Sequence, residues 1–318
     1  MTQSSTSPSN LVLKCATPLT LQPAAVYLSS LTPGSRRTMG KALGAIARLL
    51  TNGQCDALTL DWAALKYQHT AALRAVLMER YAPATANRML CALRRTLKEA
   101  QRLGLMSADD YARAADISNV RGDSPQRGRI LKTSEIAALL KVCQNDPTPA
   151  GAKDAAVIAI LSGSGLLRSE LVALELLDFS PETGALIVRK GKGSKSRTVY
   201  LPKGAVAAVS DWLKVRGDAQ GALICPIRRG GQIELRKMTD QAVMTMLQRR
   251  AKQASVAAFS PHDFRRTFIS NLLAAGADVI TTSRLAGHAD PATTQKYDLR
   301  GEEAKQQAVQ LLHIPYDT

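Results

Sequence analysis

The chain has 318 residues, 42 Lys and Arg against 26 Asp and Glu, and a formal net charge of +16. Hydrophobic residues at 45% and charged residues at 21% exclude wholesale disorder, and no apolar run approaches the roughly 20 residues of a membrane helix. The opening MTQSSTSPSN lacks the basic and apolar regions of a signal peptide, the five scattered cysteines form no C-x-x-C pair, and the four histidines form no H-E-x-x-H helix. The expectation is a cytoplasmic protein with no disulfide framework, metal or cofactor.

Residues 1–13 are a Ser/Thr-rich polar leader, expected to be flexible. From 14 to 118 the periodicity is helical, with apolar residues three and four apart over Met39–Leu50, Ala71–Glu79 and Ala84–Leu103. The third of these carries Arg88, Arg94, Arg95, Lys98 and Arg102, a cationic surface fit to track a phosphate backbone. The aperiodic stretch 119–130, rich in Gly, Pro and Arg, reads as a linker. Residues 131–318 form the second domain: helices near Ser134–Cys143 and Ala155–Leu161, then two β-rich runs flanking a Gly/Ser/Lys turn, then a helix near Val206–Lys214 and helices onward. The fold class is therefore mainly α with a small β-hairpin, in two domains.

Both halves are basic, with 17 Lys and Arg against 8 Asp and Glu in residues 1–130, and 25 against 18 in residues 131–318. A surplus spread over two domains suits a polyphosphate duplex, whose counterions are released as each phosphate is neutralised. Aromatics at 4% count against the stacking platforms of single-strand and RNA binders. Gly163-Ser164-Gly165 lacks the third glycine of a dinucleotide site, and the lysine-rich turn lacks phosphate-loop spacing.

Ser260-Pro261-His262-Asp263 is a punctuated helix start, with an N-cap Ser, Pro at the first helical position and an acid completing a capping box. His262 and Arg265 share a face at the positive end of that helix, an arrangement able to bind phosphate. Gly287 closes a second helix before His288, and Asp290-Pro291 opens a third carrying Tyr297. A phenol titrates near 10 and attacks little at neutral pH unless cations surround the electrophile.

His262, Arg265, His288 and Tyr297 follow at gaps of 3, 23 and 9, preceded by Lys192 in the G-K-G turn. This series resembles the tyrosine recombinase, or phage-type integrase, family, over residues 131–318; the helical first half resembles the family's core-binding domain in position and character only. The resemblance implies that Tyr297 is the nucleophile forming a 3′-phosphotyrosyl link, that Arg265 and His288 hold the phosphate, that His262 assists, and that Lys192 is the general acid. Lys190, Lys195 and Arg197 become groove or phosphate contacts, as does Arg266. The implied partner is double-stranded DNA with an inverted-repeat core site, bound by a homo-tetramer assembled from monomers, with no membrane. The apolar Ala304, Ala308, Val309, Leu311 and Leu312 form a C-terminal helix that either packs on a neighbouring protomer or folds back.

The family has one more catalytic arginine, directly after a Gly-Leu pair. Here the text is Gly165-Leu166-Leu167-Arg168-Ser169-Glu170-Leu171, and the ungapped register puts Leu167 at that position. Arg168 follows it, pointing roughly 100° away on a helix. The two readings are a recombinase impaired by the missing donor, or a one-residue shift in which Arg168 serves. A non-catalytic DNA-binding protein on the same fold and a type IB topoisomerase are the rival functions.

Overall fold

A computed structural model describes residues 11–13, 15, 17–122, 128–189, 196–298, 306 and 309–310. The chain divides into two compact units, Met1–Arg127 and Gly128–Thr318. The fold is mainly helical with a single two-stranded sheet among the described residues. No described helix is long and apolar enough to cross a membrane.

The first unit is built from α1 (Pro23–Ser29), α2 (Pro33–Leu50), α3 (Tyr67–Arg80), α4 (Pro83–Arg102) and α5 (Ala108–Ala115). Pro at the first turn starts α1, α2 and α4, since the missing N–H there has no intrahelical partner to lose. The apolar faces of α2, α3 and α4 meet through Leu43, Ile46, Leu73, Leu77, Leu90, Leu93 and Leu97, with Trp62 sealing the base. The aperiodic stretch begins under restraint: Val120 is buried, and its amide and carbonyl pair with the Asn87 side chain at 2.7 and 3.0 Å.

The second unit is arranged around α7 (Pro149–Ser164), which is apolar around most of its girth, apart from Lys153 and Asp154, and buried over most of its length. A helix whose apolar surface runs nearly all round must be surrounded. Around it lie α6 (Thr133–Gln144), α8 (Arg168–Leu171), α9 (Lys203–Arg216), α10 (Asp240–Gln253) and α11 (Pro261–Ala274), followed by α12 (Val279–Ala286) and α13 (Ala292–Gln295). Strands β1 (Ala185–Val188) and β2 (Arg197–Tyr200) pair antiparallel with Leu186 opposite Val199. Leu186, Val188 and Val199 face the core while Ile187 and Tyr200 face outward, the alternation of a one-sided hairpin. The turn joining the strands, with Lys190, Lys192 and Lys195, lies outside the described residues, as do Ala304, Ala308, Leu311 and Leu312.

Residues 129–131 fasten onto α11. Asp263 accepts from the Arg129 amide at 2.9 Å, and Thr267 accepts from the Leu131 amide at 2.8 Å. The helix carrying His262 and Arg265 is thereby tied to the start of its own unit.

Candidate active site

The N-terminus of α11 is set by a carboxylate reaching back. Asp263 accepts the Ser260 amide at 2.7 Å and the Ser260 hydroxyl at 3.1 Å, so the acid closes the cap while the serine side chain points to it. On this rigid first turn His262 is exposed and Arg265 buried. Arg265 donates to the Gly165 carbonyl at 3.1 Å. Gly165 ends α7 in the left-handed region at φ 61°, and a Cβ there would stand 2.5 Å from the Phe268 ring, so glycine is required on both counts.

The second histidine arrives from α12. Gly287, at φ 74°, caps that helix by donating to the Ser283 carbonyl at 2.8 Å, and the His288 amide donates to the same carbonyl at 3.0 Å. His288 Nδ1 lies 2.8 Å from the Thr294 hydroxyl, which leaves Nε2 directed elsewhere. Burial, and then the charges of Arg265, His262 and Arg197, push the His288 pKa down to about 4. His262 is lowered too, by desolvation first and by Arg265 and Arg266 next, with Asp263 opposing. Both shifts favour the neutral ring.

Tyr297 lies two residues beyond the short α13, a helix of four residues that ends before the tyrosine the sequence pattern assigned to it. Its backbone is held by Ser270, whose hydroxyl donates to the Tyr297 carbonyl at 3.1 Å, and its ring packs on the small core of Ile269, Leu273 and Ala286. The Tyr297 hydroxyl stands 3.4 Å from His262 Nε2. The ring lies 6.2 Å from that of His288 at an interplanar angle of 19°, and the Arg266 guanidinium carbon sits 5.1 Å from the ring centroid. Four residues scattered over 36 positions of sequence, with Arg266, thus converge within one subunit.

Residues 129–301 match the family described as the phage integrase family. The chain belongs to this family. Tyrosine recombinase XerD of Ralstonia nicotianae is 33% identical over 223 residues, which cover 67% of this chain and 68% of that protein. Tyrosine recombinase XerA of Pyrococcus furiosus is 31% identical over 167 residues, covering 52% of this chain and 56% of that protein. Among solved structures, the Tn1549 transposon integrase superposes with a TM-score of 0.68 at 18% identity, over 92% of this chain and 98% of that one. The XerH site-specific recombinase gives 0.66 at 16%, over 95% and 98%. At such identities the likeness is one of fold, and it is the integrase fold.

Several residues that the sequence assigned to this site or to a phosphate surface have other partners. Arg197 is 11% exposed and forms a two-pronged pair with Glu170 at 2.6 and 2.9 Å, so its guanidinium is engaged within its own unit. Arg168 turns to the first turn of α10, donating to the Asp240 carbonyl at 3.1 Å with the Asp240 carboxylate at 3.8 Å. Leu167, one residue earlier, is 41% exposed and shares a cleft of about 560 Å³ with Arg168, Ser260 and His262. On α4 of the first unit, Arg94 donates to the Ile117 carbonyl and to Asn119, and Lys98 bonds Gln101 while lying over the Tyr111 ring. These two cations secure their own unit, whereas Arg88 and Arg95 are exposed.

Sequence reasoning missed Glu170, Thr294, and the α2 cations Arg37 and Lys41, which line a cleft of about 300 Å³ with Arg88. Thr294 offered only its spacing six residues after His288. Glu170 offered only its place three residues after Leu167, the position from which an acid reaches back to a helix start.

Proposed function

We propose that the protein cuts and rejoins duplex DNA through a 3′-phosphotyrosyl intermediate, with Tyr297 as nucleophile. The observation that carries this reading is the 3.4 Å approach of the Tyr297 hydroxyl to His262 Nε2, where burial and neighbouring cations lower the His262 pKa and so favour the ring form able to accept a proton. Tyr297 Oη attacks phosphorus, its proton passes to His262, and the bond to the 5′ oxygen breaks. Lys192 supplies the proton that the departing oxygen takes. The energy of the broken ester is kept in the new one, so religation is the same step reversed.

Arg265 and His288 offset the charge that grows on the non-bridging oxygens. For His288 this requires Nε2 to carry the proton, which follows when the Thr294 hydroxyl donates to Nδ1. Arg37, Lys41, Arg88 and Arg95 of the first unit, with Lys190, Lys195 and Arg266 of the second, grip backbone phosphates. The XerH structure contains a palindromic difH substrate and the Tn1549 integrase structure contains transposon right-end DNA. The palindromic substrate is in keeping with an inverted-repeat site, and the family resemblance adds stepwise exchange in a homo-tetramer assembled on DNA.

A second reading is favoured by Leu167. With leucine where the family has an arginine, and with Arg168 engaged by Asp240, the phosphate lacks one donor, and cleavage is slow while DNA binding persists. One experiment tests both readings. A randomised duplex library carrying 5′-bridging phosphorothiolates traps the covalent species, because the thiolate leaves without an acid and religates poorly. Adducts that survive denaturation and vanish in Tyr297→Phe support the enzyme; their absence in the native chain and in Leu167→Arg leaves only the binding protein.

A further inference from the structure

The two strands of the hairpin flank the lysine-bearing turn, and Arg197 is the first residue of the strand that leaves it. Its guanidinium reaches three places at once. Two nitrogens meet the Glu170 carboxylate at 2.6 and 2.9 Å, and the third donates to the Leu285 carbonyl at 3.1 Å in the last turn of α12. The same plane lies against Gly287, where an added Cβ would come within 2.7 to 2.9 Å of guanidinium atoms. Glu170 in turn accepts from the Leu167 amide at 2.9 Å, which fixes the start of α8. A positive charge at the C-terminal carbonyls of a helix is favourable, and a planar fork suits a carboxylate better than an ammonium does.

We propose that Arg197 is a positioning residue that joins the hairpin strand to the cap of α8 and to the end of α12, and so fixes the loop presenting His288. The proposal rests on the reading of His288 as a phosphate ligand and of the hairpin turn as the bearer of the general acid. The residue after Gly287 is His288, so any movement of the guanidinium is transmitted to that glycine and onward to the imidazole. Removing the fork releases the α12 terminus from the strand without touching a group that contacts DNA.

The test separates positioning from phosphate contact. Full-length protein labelled with ¹³C in its histidine rings is compared with Arg197→Lys, which keeps the charge and loses the fork, and with Glu170→Gln, which keeps the size and loses the charge. The expected result is a shifted His288 ring correlation in both variants with the His69 correlation unmoved. On the phosphorothiolate library, adduct formation per bound duplex falls about 100-fold, the scale of a misplacement near 1 Å, while affinity for the duplex stays unchanged. The double variant is no slower than either single one, because both break one clamp. A His288 correlation that stays in place in folded Arg197→Lys and Glu170→Gln overturns the proposal. So does a loss of duplex affinity with the rate per bound duplex preserved, which makes Arg197 a phosphate contact. If the native chain forms no adduct at all, the functional reading fails, and the ring spectra still decide the clamp.

Discussion

An imidazole buried beside cations is held in its neutral form, and His288 shows the sign of the effect. Its folded pKa is about 4, against roughly 6.5 for a free imidazole, because burial and the neighbouring Arg265, His262 and Arg197 disfavour the charged ring. Between those values the unfolded chain binds a proton that the folded chain refuses. The stability contributed by the neutral ring is therefore complete above about 6.5 and declines as the pH falls towards 4. His262 is shifted in the same direction and adds to the decline. Thermal melts from pH 7 to pH 4 should show this slope, and His288→Gln should flatten it. At Leu167 the expected gain is kinetic: Leu167→Arg should raise adduct formation on the order of 100- to 1000-fold, the worth of one transition-state donor, while Arg168→Ala should change it little. A gain confined to the first variant, read by gel after denaturation, supports the missing donor; collapse in the second supports Arg168 as its replacement.

At the scale of elements, α7 and α10 are joined by charge as well as by apolar packing. Asp154, fully buried on α7, receives Arg249 and Arg250 of α10 at 2.8 Å each, and Arg250 continues to Asp146 at 2.6 Å. Lys153 adds a contact to Asp154 at 3.3 Å. Such a network stabilises little over an apolar replacement, but removing one member strands the rest. Arg250→Ala and Arg250→Met should each cost about 3 to 5 kcal/mol in chemical unfolding, since both leave the Asp154 carboxylate buried without its Arg250 partner. The Asp146 carboxyl is lowered to about 2, chiefly by its hydrogen bonds from Thr148 and then from Arg250, against the opposing effect of burial. Its contribution is present above about 3.8 and is lost as the pH falls through 2. The junction between α7 and α8 is equally sensitive for a steric reason. Gly165→Ala should destabilise the unit and displace the carbonyl that receives Arg265, lowering adduct formation together with the melting temperature.

For the whole molecule the surplus of +16 is the dominant long-range property. Binding to a random duplex should weaken steeply with salt, by about 10³ to 10⁵ between 50 and 200 mM if six to ten phosphates are engaged. Arg88→Ala and Arg95→Ala should each lower the slope of log affinity against log salt by about 0.9, and Arg94→Ala should leave the slope in place while loosening the first unit. Fluorescence anisotropy titrations at graded salt measure both effects.

Charge, helical period and the order His262, Arg265, His288, Tyr297 are local or additive properties, and the sequence by itself determined them. They were enough for the fold class, the hairpin, the capped helix α11 and the family. The ends of the aperiodic stretch were less legible, because Val120 and Leu131 are held by partners far along the chain, Asn87 and Thr267. Only the tertiary structure decided which cations are spent. Arg197, Arg168, Arg94 and Lys98 look alike in a sequence, and each is assigned by the acceptor that happens to stand within about 3 Å of it. A guanidinium takes whichever carboxylate or carbonyl the packing brings near, and that proximity is written in the contacts between elements, not within any one of them.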